Sequence, residues 1–164
     1  MTTTPAPTTL PQGTPAPKTR IAPTDITTAL AAALTAERMA AYSYGVAGAR
    51  LSSSRARSAA LAGLDSHRTR RDAIAALLTE RSEALPPDPG LYQLPAGAPT
   101  GESSARELLA ALEQVCAATF ADLVGLADGS ALRASAASWL NSSAVAAAIW
   151  SGSTGPWPGL PERS

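Results

Sequence analysis

"LPPDPGLYQLPAGAPTGE", residues 85 to 102, decides the fold, because it separates two pairs of helical segments by more chain than a tight turn needs. Its prolines favour an extended path of about 3 Å per residue, whereas a helix rises only about 1.5 Å per residue. The segment is therefore long enough to run back along a helix of about 25 residues. Such a return would make the helix after it parallel to the helix before it.

Apolar and small residues recur at spacings of three and four on both sides of this segment, as in amphipathic helices. Before it, we predict a first helix from about Asp25 to Leu51 and a second, capped by Ser54, that reaches about Ala84. After it, Ser104 and Glu107 predict a capping box that opens the third helix. The sequence Asp128-Gly129-Ser130 ends that helix and caps a fourth. No segment has the pattern of a strand.

The two short connections determine how the helices pair. "SSS" at 52 to 54 joins the first two helices, and residues 128 to 130 join the last two. Each pair must then form an antiparallel hairpin. Two hairpins joined by one long crossover are the ferritin-like arrangement. We therefore predict an all-α fold, a ferritin-like four-helix bundle with its long crossover between helices 2 and 3.

The chain of 164 residues is long enough for one domain with its own core. Residues 1–23 combine Thr, Pro and Ala with few large apolar side chains, which predicts a disordered tail. Residues 24–164 are predicted to hold the bundle and a C-terminal tail rich in Gly and Pro. In that tail, Trp157 and Leu160 are expected to fold back onto the bundle or to cover a partner.

The charge of the chain limits its partners. Thirteen basic and thirteen acidic residues give a formal net charge of zero, which argues against a nucleic-acid or membrane binder. Six arginines cluster without stacking aromatic residues or a nucleic-acid motif, so we expect a solvated surface there. They are Arg50, Arg55, Arg57, Arg68, Arg70 and Arg71.

We see no signal peptide and no good membrane span, so we predict a cytoplasmic protein, and we expect a homodimer.

Several stretches carry a resemblance to a known family. They are "AERMAAYSYGVAGARL" at 36–51, "HRTRRDAI" at 67–74, "YQLP" at 92–95, "CAATFADLV" at 116–124 and "WPGLPE" at 157–162. The chain resembles the alanine-rich, ferritin-like proteins of actinobacteria that are catalogued as a domain of unknown function. From Asp25 onward, the resemblance implies a four-helix ferritin-like fold, and it implies no accepted activity. Members often carry a histidine where this chain has Met39.

The second helix carries charged residues on its predicted inner stripe. Leu64, His67, Arg71, Ile74 and Leu78 follow one another at spacings of three and four. If the first turn lies near Ser53, Glu37 faces positions near 69, which places Glu37, His67 and Arg71 in one layer. If the second turn lies near Asp128, Glu113 faces positions near 143, where the fourth helix offers Asn141, Ser142 and Ser143.

This layer can be compared with the metal centres of ferritin-like bundles. Those centres take a Glu from each of two helices and a Glu-x-x-His pair from each of the other two. The chain has no Glu-x-x-His, and its fourth helix has no Asp, Glu or His. Glu37, His67 and Glu113 are the candidate ligands of a sparse iron or manganese site. The charge of Arg71 would repel a cation there, so we favour a buried polar cluster in which Arg71 replaces the metal.

The leading functional interpretation is a non-catalytic ferritin-like structural or interaction protein with a degenerate metal centre and no cofactor. The first alternative is a metal-binding protein or oxidoreductase that uses iron or manganese. The second alternative is a small-molecule binder in the bundle core. We predict no catalytic residue, because Cys116 lies on an inner stripe as a small buried side chain and Tyr42 and Tyr44 are explained by packing.

Overall fold

A computed structural model describes residues 22–94 and 97–152 of the chain. It contains four helices, α1 (Ile26–Gly48), α2 (Ser54–Glu80), α3 (Glu102–Leu126) and α4 (Ser130–Ser151). These described residues include no strand. The predicted all-α four-helix fold is therefore confirmed. The predictions for residues 1–21 and for Trp157 and Leu160 lie outside the described residues.

The first two helices begin at polar caps close to the predicted positions. The side chain of Asp25 accepts a hydrogen bond from the backbone N–H of Thr28 at 2.8 Å. The Ser53 hydroxyl accepts from the N–H of Ala56 at 3.1 Å, so the cap is Ser53 and not Ser54. Each side-chain oxygen satisfies a donor that the first turn of a helix leaves free. These caps fix where the first hairpin turns.

The prediction for the start of the third helix is wrong by about one turn. Gly101 is the N-cap of α3, and the Ser104 hydroxyl accepts from the backbone N–H of Gly101 at 3.1 Å. Glu107 accepts instead from the hydroxyl of Ser103 at 3.0 Å. The reason is Glu102, whose carboxylate binds both the backbone N–H, at 3.2 Å, and the hydroxyl of Ser52. This contact anchors an additional turn at the N-terminus of α3, where a negative charge is favourable.

Contacts at the two ends of the bundle establish the helix directions. Glu102, at the start of α3, binds Ser52 in the turn that precedes α2. At the opposite end, Arg81 follows α2 and its Nη2 donates to Asp128, in the turn after α3, at 3.0 Å. Helices α2 and α3 therefore run parallel, as the long crossover predicts. Arg38 of α1 holds the crossover, because its Nη1 donates to the carbonyl of Pro86 at 2.6 Å.

Helix α2 packs on α1, α4 packs on α3, and α1 and α3 pack on each other. Their buried apolar side chains form two clusters, one at each end of the bundle. The lower cluster includes Leu30, Leu34, Ile74, Leu78, Phe120 and Leu123. The upper cluster includes Tyr44, Leu51, Leu108, Leu109, Leu112 and Trp150. The buried charged residues lie between these two clusters.

Helix α3 is long and apolar enough to cross a membrane by length and composition alone. Most of its apolar stretch is buried inside the bundle, as in the core helix of a soluble protein. Its buried residues include Leu109, Leu112, Phe120 and Leu123, which contribute to both apolar clusters. Its hydropathy is therefore explained by its place in the bundle core.

Candidate buried ion cluster

The imidazole of His67 bridges two buried carboxylates. Its Nδ1 lies 2.8 Å from Oε2 of Glu37 on α1, and its Nε2 lies 3.1 Å from Oε1 of Glu113 on α3. Glu37 and His67 are 0% exposed and Glu113 is 2% exposed. The three candidate ligands predicted from the sequence are thus brought together from three different helices. Their role as metal ligands stays a prediction.

The guanidinium in this layer belongs to Arg70, and the prediction that Arg71 faces the layer is wrong. Nε of Arg70 lies 3.2 Å from Oε1 of Glu37, and its Nη2 lies 2.9 Å from Nδ1 of His67. Arg71 turns outward and its Nε pairs with the exposed Asp72 at 2.8 Å. Glu37, His67, Arg70 and Glu113 are called the ion cluster below.

The geometry of a helix explains this error. Each residue turns the helix by about 100°, so positions three and four after His67 lie on either side of the inner face. Arg70 is on the side that faces α3, where its guanidinium stands 5.8 Å from the centre of the Phe120 ring. Arg70 is only 8% exposed and is therefore an exception to the solvated arginine surface expected from the sequence.

A chain of hydrogen bonds extends the ion cluster to the fourth helix. The Tyr44 hydroxyl donates to Oε1 of Glu113 at 2.6 Å, and Nε1 of Trp150 on α4 donates to the Tyr44 oxygen at 2.8 Å. Sequence reasoning explained Tyr44 by packing and missed this role. The available signal was general, since the polar atom of a buried Tyr or Trp ordinarily has a partner. Ser143, which was predicted to be level with Glu113, is buried and adjoins that carboxylate.

The hydrogen bonds of the cluster outweigh the effect of burial on two of its members. Burial by itself would lower the pKa of His67, but hydrogen bonds and charge from Glu113 and Glu37 raise this pKa above its usual value. Burial by itself would raise the pKa of Glu113, but His67 and Tyr44 lower it. The contacts of the cluster therefore favour the protonated form of His67 and the ionised form of Glu113.

The hydrogen bonding of the ion cluster is incomplete. Nδ1 of His67 has a carboxylate oxygen and a guanidinium nitrogen as close neighbours, and one proton position cannot suit both. Nε of Arg70 and Oε1 of Glu37 face each other without an aligned hydrogen bond. Within the described residues, Oε2 of Glu113 and the hydroxyl of Ser143 are buried, and Ser143 lies close enough to lower the pKa of Glu113, but the two groups do not form an aligned hydrogen bond.

Cys116 of α3 lies beside the ion cluster. Its sulfur, one carboxylate oxygen of Glu37 and one ring nitrogen of His67 all lie within 4.8 Å of one another. Burial raises the pKa of the thiol well above its usual value, and the carboxylates of Glu37 and Glu113 raise it further. The predicted burial of Cys116 is confirmed, but its proximity to Glu37 and His67 was not foreseen. A signal existed in Glu113-Gln114-Val115-Cys116, which has cysteine where a Glu-x-x-His pair has histidine.

A groove on the surface lies behind the ion cluster, between α1, α2 and the crossover. Its volume is about 240 Å³. Arg38, Arg68 and Arg71 line it, together with Tyr42 and Tyr92, whose ring centres are 5.8 Å apart. Arg71 thus belongs to the outer surface of the α1–α2 hairpin and not to the bundle core.

Comparisons with known proteins identify the family. A sequence model for the family described as Domain of unknown function (DUF4439) matches residues 29–162. The crystal structure of a conserved hypothetical protein, rv2844, from Mycobacterium tuberculosis is similar to this fold, with a TM-score of 0.73 and 30% sequence identity. The match covers 77% of this chain and 95% of that chain. No curated protein matches the chain. With most of its length matched by the family model, the chain belongs to the DUF4439 family.

Proposed function

We propose that this chain is a non-catalytic ferritin-like structural or interaction protein with a degenerate metal centre, whose place in the bundle the ion cluster has taken. The position of Arg70 carries this proposal. Its guanidinium lies within about one hydrogen-bond length of both Glu37 and His67, in the interior of the bundle. It supplies there the positive charge that metal ions supply to the carboxylates of a di-metal centre.

Charge balance supports this proposal. Buried carboxylates without a positive partner are too costly to persist as ions. Glu37 and Glu113 have such partners in Arg70 and His67. The charge of an arginine is permanent under physiological conditions, so Glu37 has a positive partner without an added ion. The bundle core can then be stable in the absence of metal.

The set of side chains in the layer also supports this proposal. A di-iron centre takes ligands from all four helices. Helix α4 carries no Asp, Glu or His, and it contributes Ser143 beside Glu113 and Trp150, which reaches the layer through its hydrogen bond to Tyr44. Because Glu37 and His67 are fully buried, neither offers an exposed atom to a substrate. A structural role needs no such access.

Reconstitution with metal tests this proposal. The purified full chain is incubated anaerobically with Fe(II) or Mn(II), separated from free metal, and examined by elemental analysis and thermal unfolding. We expect much less than one ion per chain and an unchanged Tm, with Glu37→Gln as the control for binding elsewhere. Stoichiometric iron or manganese with a higher Tm, lost in Glu37→Gln, would overturn the proposal.

The same experiment decides the first alternative, an iron or manganese protein or oxidoreductase. The observation that favours it is the meeting of Glu37, His67 and Glu113 in one buried layer. Oxygen consumption by iron-loaded protein would support an oxidoreductase.

A small-molecule binder in the core stays a prediction, which mass spectrometry of ligands released from denatured protein would test.

The assembly and the location of the protein are also proposals. Val145 and Ile149 are exposed and lie one turn apart on α4, which gives a homodimer an apolar surface to bury. Sedimentation velocity over a range of concentrations tests the dimer, and a monomer at every concentration would contradict it.

We expect no nucleic acid or membrane as partner. Cell fractionation tests the cytoplasmic location.

A further inference from the structure

We propose that Glu37, His67 and Cys116 form a site for one thiolate-preferring divalent cation, such as zinc. The three side chains come from three helices, and their ligand atoms all lie within 4.8 Å of one another. Each of these residues is at most 1% exposed. This inference goes beyond the proposed function, which concerns the iron and manganese chemistry of a di-metal centre.

Cys116 determines which metal the site prefers. Thiolate ligands select soft or borderline ions such as zinc, whereas iron and manganese centres of ferritin-like bundles use carboxylates and imidazole. Glu113 and Cys116 are three residues apart, so both point inward from the same face of α3. Glu113 is then free to hold His67, while Cys116 faces Glu37.

His67 is already oriented as a metal-ligating histidine. Such a histidine ordinarily donates the N–H of its second ring nitrogen to a carboxylate or carbonyl, which fixes the ring. Nε2 of His67 lies 3.1 Å from Glu113, whose carboxylate is held in turn by Tyr44. Nδ1 is therefore the nitrogen that faces the proposed ion, beside Oε2 of Glu37 at 2.8 Å.

Binding of the cation needs no oxidation or reduction. The cation forms bonds to Nδ1 of His67, to the sulfur of Cys116 and to a carboxylate oxygen of Glu37. The S–H bond of Cys116 breaks and its proton passes to solvent, as does any proton on Nδ1 of His67.

Arg70 must move when the cation binds. Its Nη2 is 2.9 Å from Nδ1 of His67, too close for a metal ion to bind there without repulsion. Arg70 is the most exposed member of the ion cluster, at 8%, and its Nε has no aligned hydrogen bond among the described residues. Its side chain can therefore move towards solvent at a lower cost than Glu37 or His67. Arginine and cation would compete for one position.

Titration with Co(II), an optical probe for zinc sites, tests the proposal on the reduced full chain under anaerobic conditions. Cys116 is the chain's only cysteine and His67 its only histidine, so a thiolate-to-cobalt absorption band has one possible source. We expect this band to saturate at one cobalt per chain and to disappear when zinc is added. A wild-type chain without the band, or a band that persists in Cys116→Ser, would overturn the inference.

A charge-removing variant tests the competition. Arg70→Gln keeps hydrogen-bond donors in the ion cluster but removes the repelling charge, so we expect cobalt to bind about tenfold more tightly or better. Arg71→Gln is the matched control, because that charge lies outside the cluster beside Asp72. Equal affinities in the two variants would place the ion away from Arg70 and contradict the site. If no cobalt binds, the iron and manganese test still decides the proposed function independently.

Discussion

The two apolar clusters at the ends of the bundle and the ion cluster between them stabilise the fold in different ways. The ends are packed with leucines, phenylalanine and alanines, whose contacts tolerate small shifts and substitutions of similar volume. The middle holds Glu37, His67, Arg70 and Glu113, whose hydrogen bonds require defined distances and angles. Burial of the two apolar clusters drives the association of the helices, and the hydrogen bonds of the ion cluster determine the position of each helix along its neighbours.

Arg70→Met should give the largest effect, because it removes a charge from the middle and leaves Glu37 buried with a single positive partner. Loss of one member of a buried ion pair commonly costs about 3–5 kcal/mol. We expect a loss of this size in the free energy of unfolding, measured by urea denaturation. Arg71→Met is the control and should change stability by no more than about 0.5 kcal/mol, because Arg71 pairs at the surface. Equal losses in the two variants would contradict the assignment of Arg70 to the core.

Gly63→Ala should give the next largest effect, at the boundary between the ion cluster and the upper apolar cluster. A Cβ atom at Gly63 would overlap the ring of Tyr44. That ring cannot easily yield, because its hydroxyl is bound to both Glu113 and Trp150. We expect a loss of about 1–3 kcal/mol and a lower Tm.

The matched control for this variant is Gly45→Ala on α1. Gly45 is exposed and a Cβ atom there would meet nothing within 4 Å. Alanine in the interior of a helix is favoured over glycine by about 0.5–1 kcal/mol, so this variant should raise the Tm. A Gly63→Ala protein as stable as the Gly45→Ala protein would show that Tyr44 is not fixed by its hydrogen bonds.

The dependence of stability on pH should be a smaller effect, and the ion cluster contributes to it through His67 and Glu113. Folding raises the pKa of His67 above 6.5, its value in the unfolded chain. The contribution of His67 to the free energy of unfolding is therefore complete below pH 6.5 and is lost as the pH rises through the pKa of the folded state. Folding lowers the pKa of Glu113 below 4.5, its value in the unfolded chain. Its contribution to the free energy of unfolding is therefore present above pH 4.5 and is lost as the pH falls through the pKa of the folded state. Both contributions are therefore greatest between these two values.

Urea denaturation of the wild type and of His67→Gln measures this dependence. Above pH 6.5 the wild type should lose stability, and the loss should be absent from His67→Gln. Leu34, in the lower apolar cluster, offers the control, since Leu34→Ala should lower stability equally at every pH. Parallel curves for the wild type and His67→Gln would mean that His67 binds no additional proton when the chain folds.

The topology could be predicted from the sequence, because it follows from the lengths of three connections. A short link forces a hairpin. The proline-rich segment 85–102 is longer than a tight turn needs and long enough to cross the length of the bundle, and this holds for any detailed packing of the side chains. The start of α3 could not be predicted as well. It depends on Glu102 meeting Ser52, which is 50 residues away in the chain.

The level of the ion cluster could also be predicted, since counting from the hairpin turns places Glu37 beside His67 and Glu113 beside Ser143. The choice between Arg70 and Arg71 could not, because both flank the inner face of α2 and both carry the same group. Only the packing of α3, with Phe120 on one side, selects Arg70. Cys116 was missed because a search for histidine at the Glu-x-x-His spacing passes over a cysteine at the same position.

The bond between Trp150 and Tyr44 has a consequence for the end of α4. The last turn of a helix ordinarily frays, and its amide protons then exchange with solvent through local opening. Trp150 lies in that last turn, yet its indole is tied to the centre of the bundle through Tyr44 and Glu113. The terminal amides of α4 should therefore exchange with deuterium about as slowly as those of its middle turns, since releasing them disturbs the core.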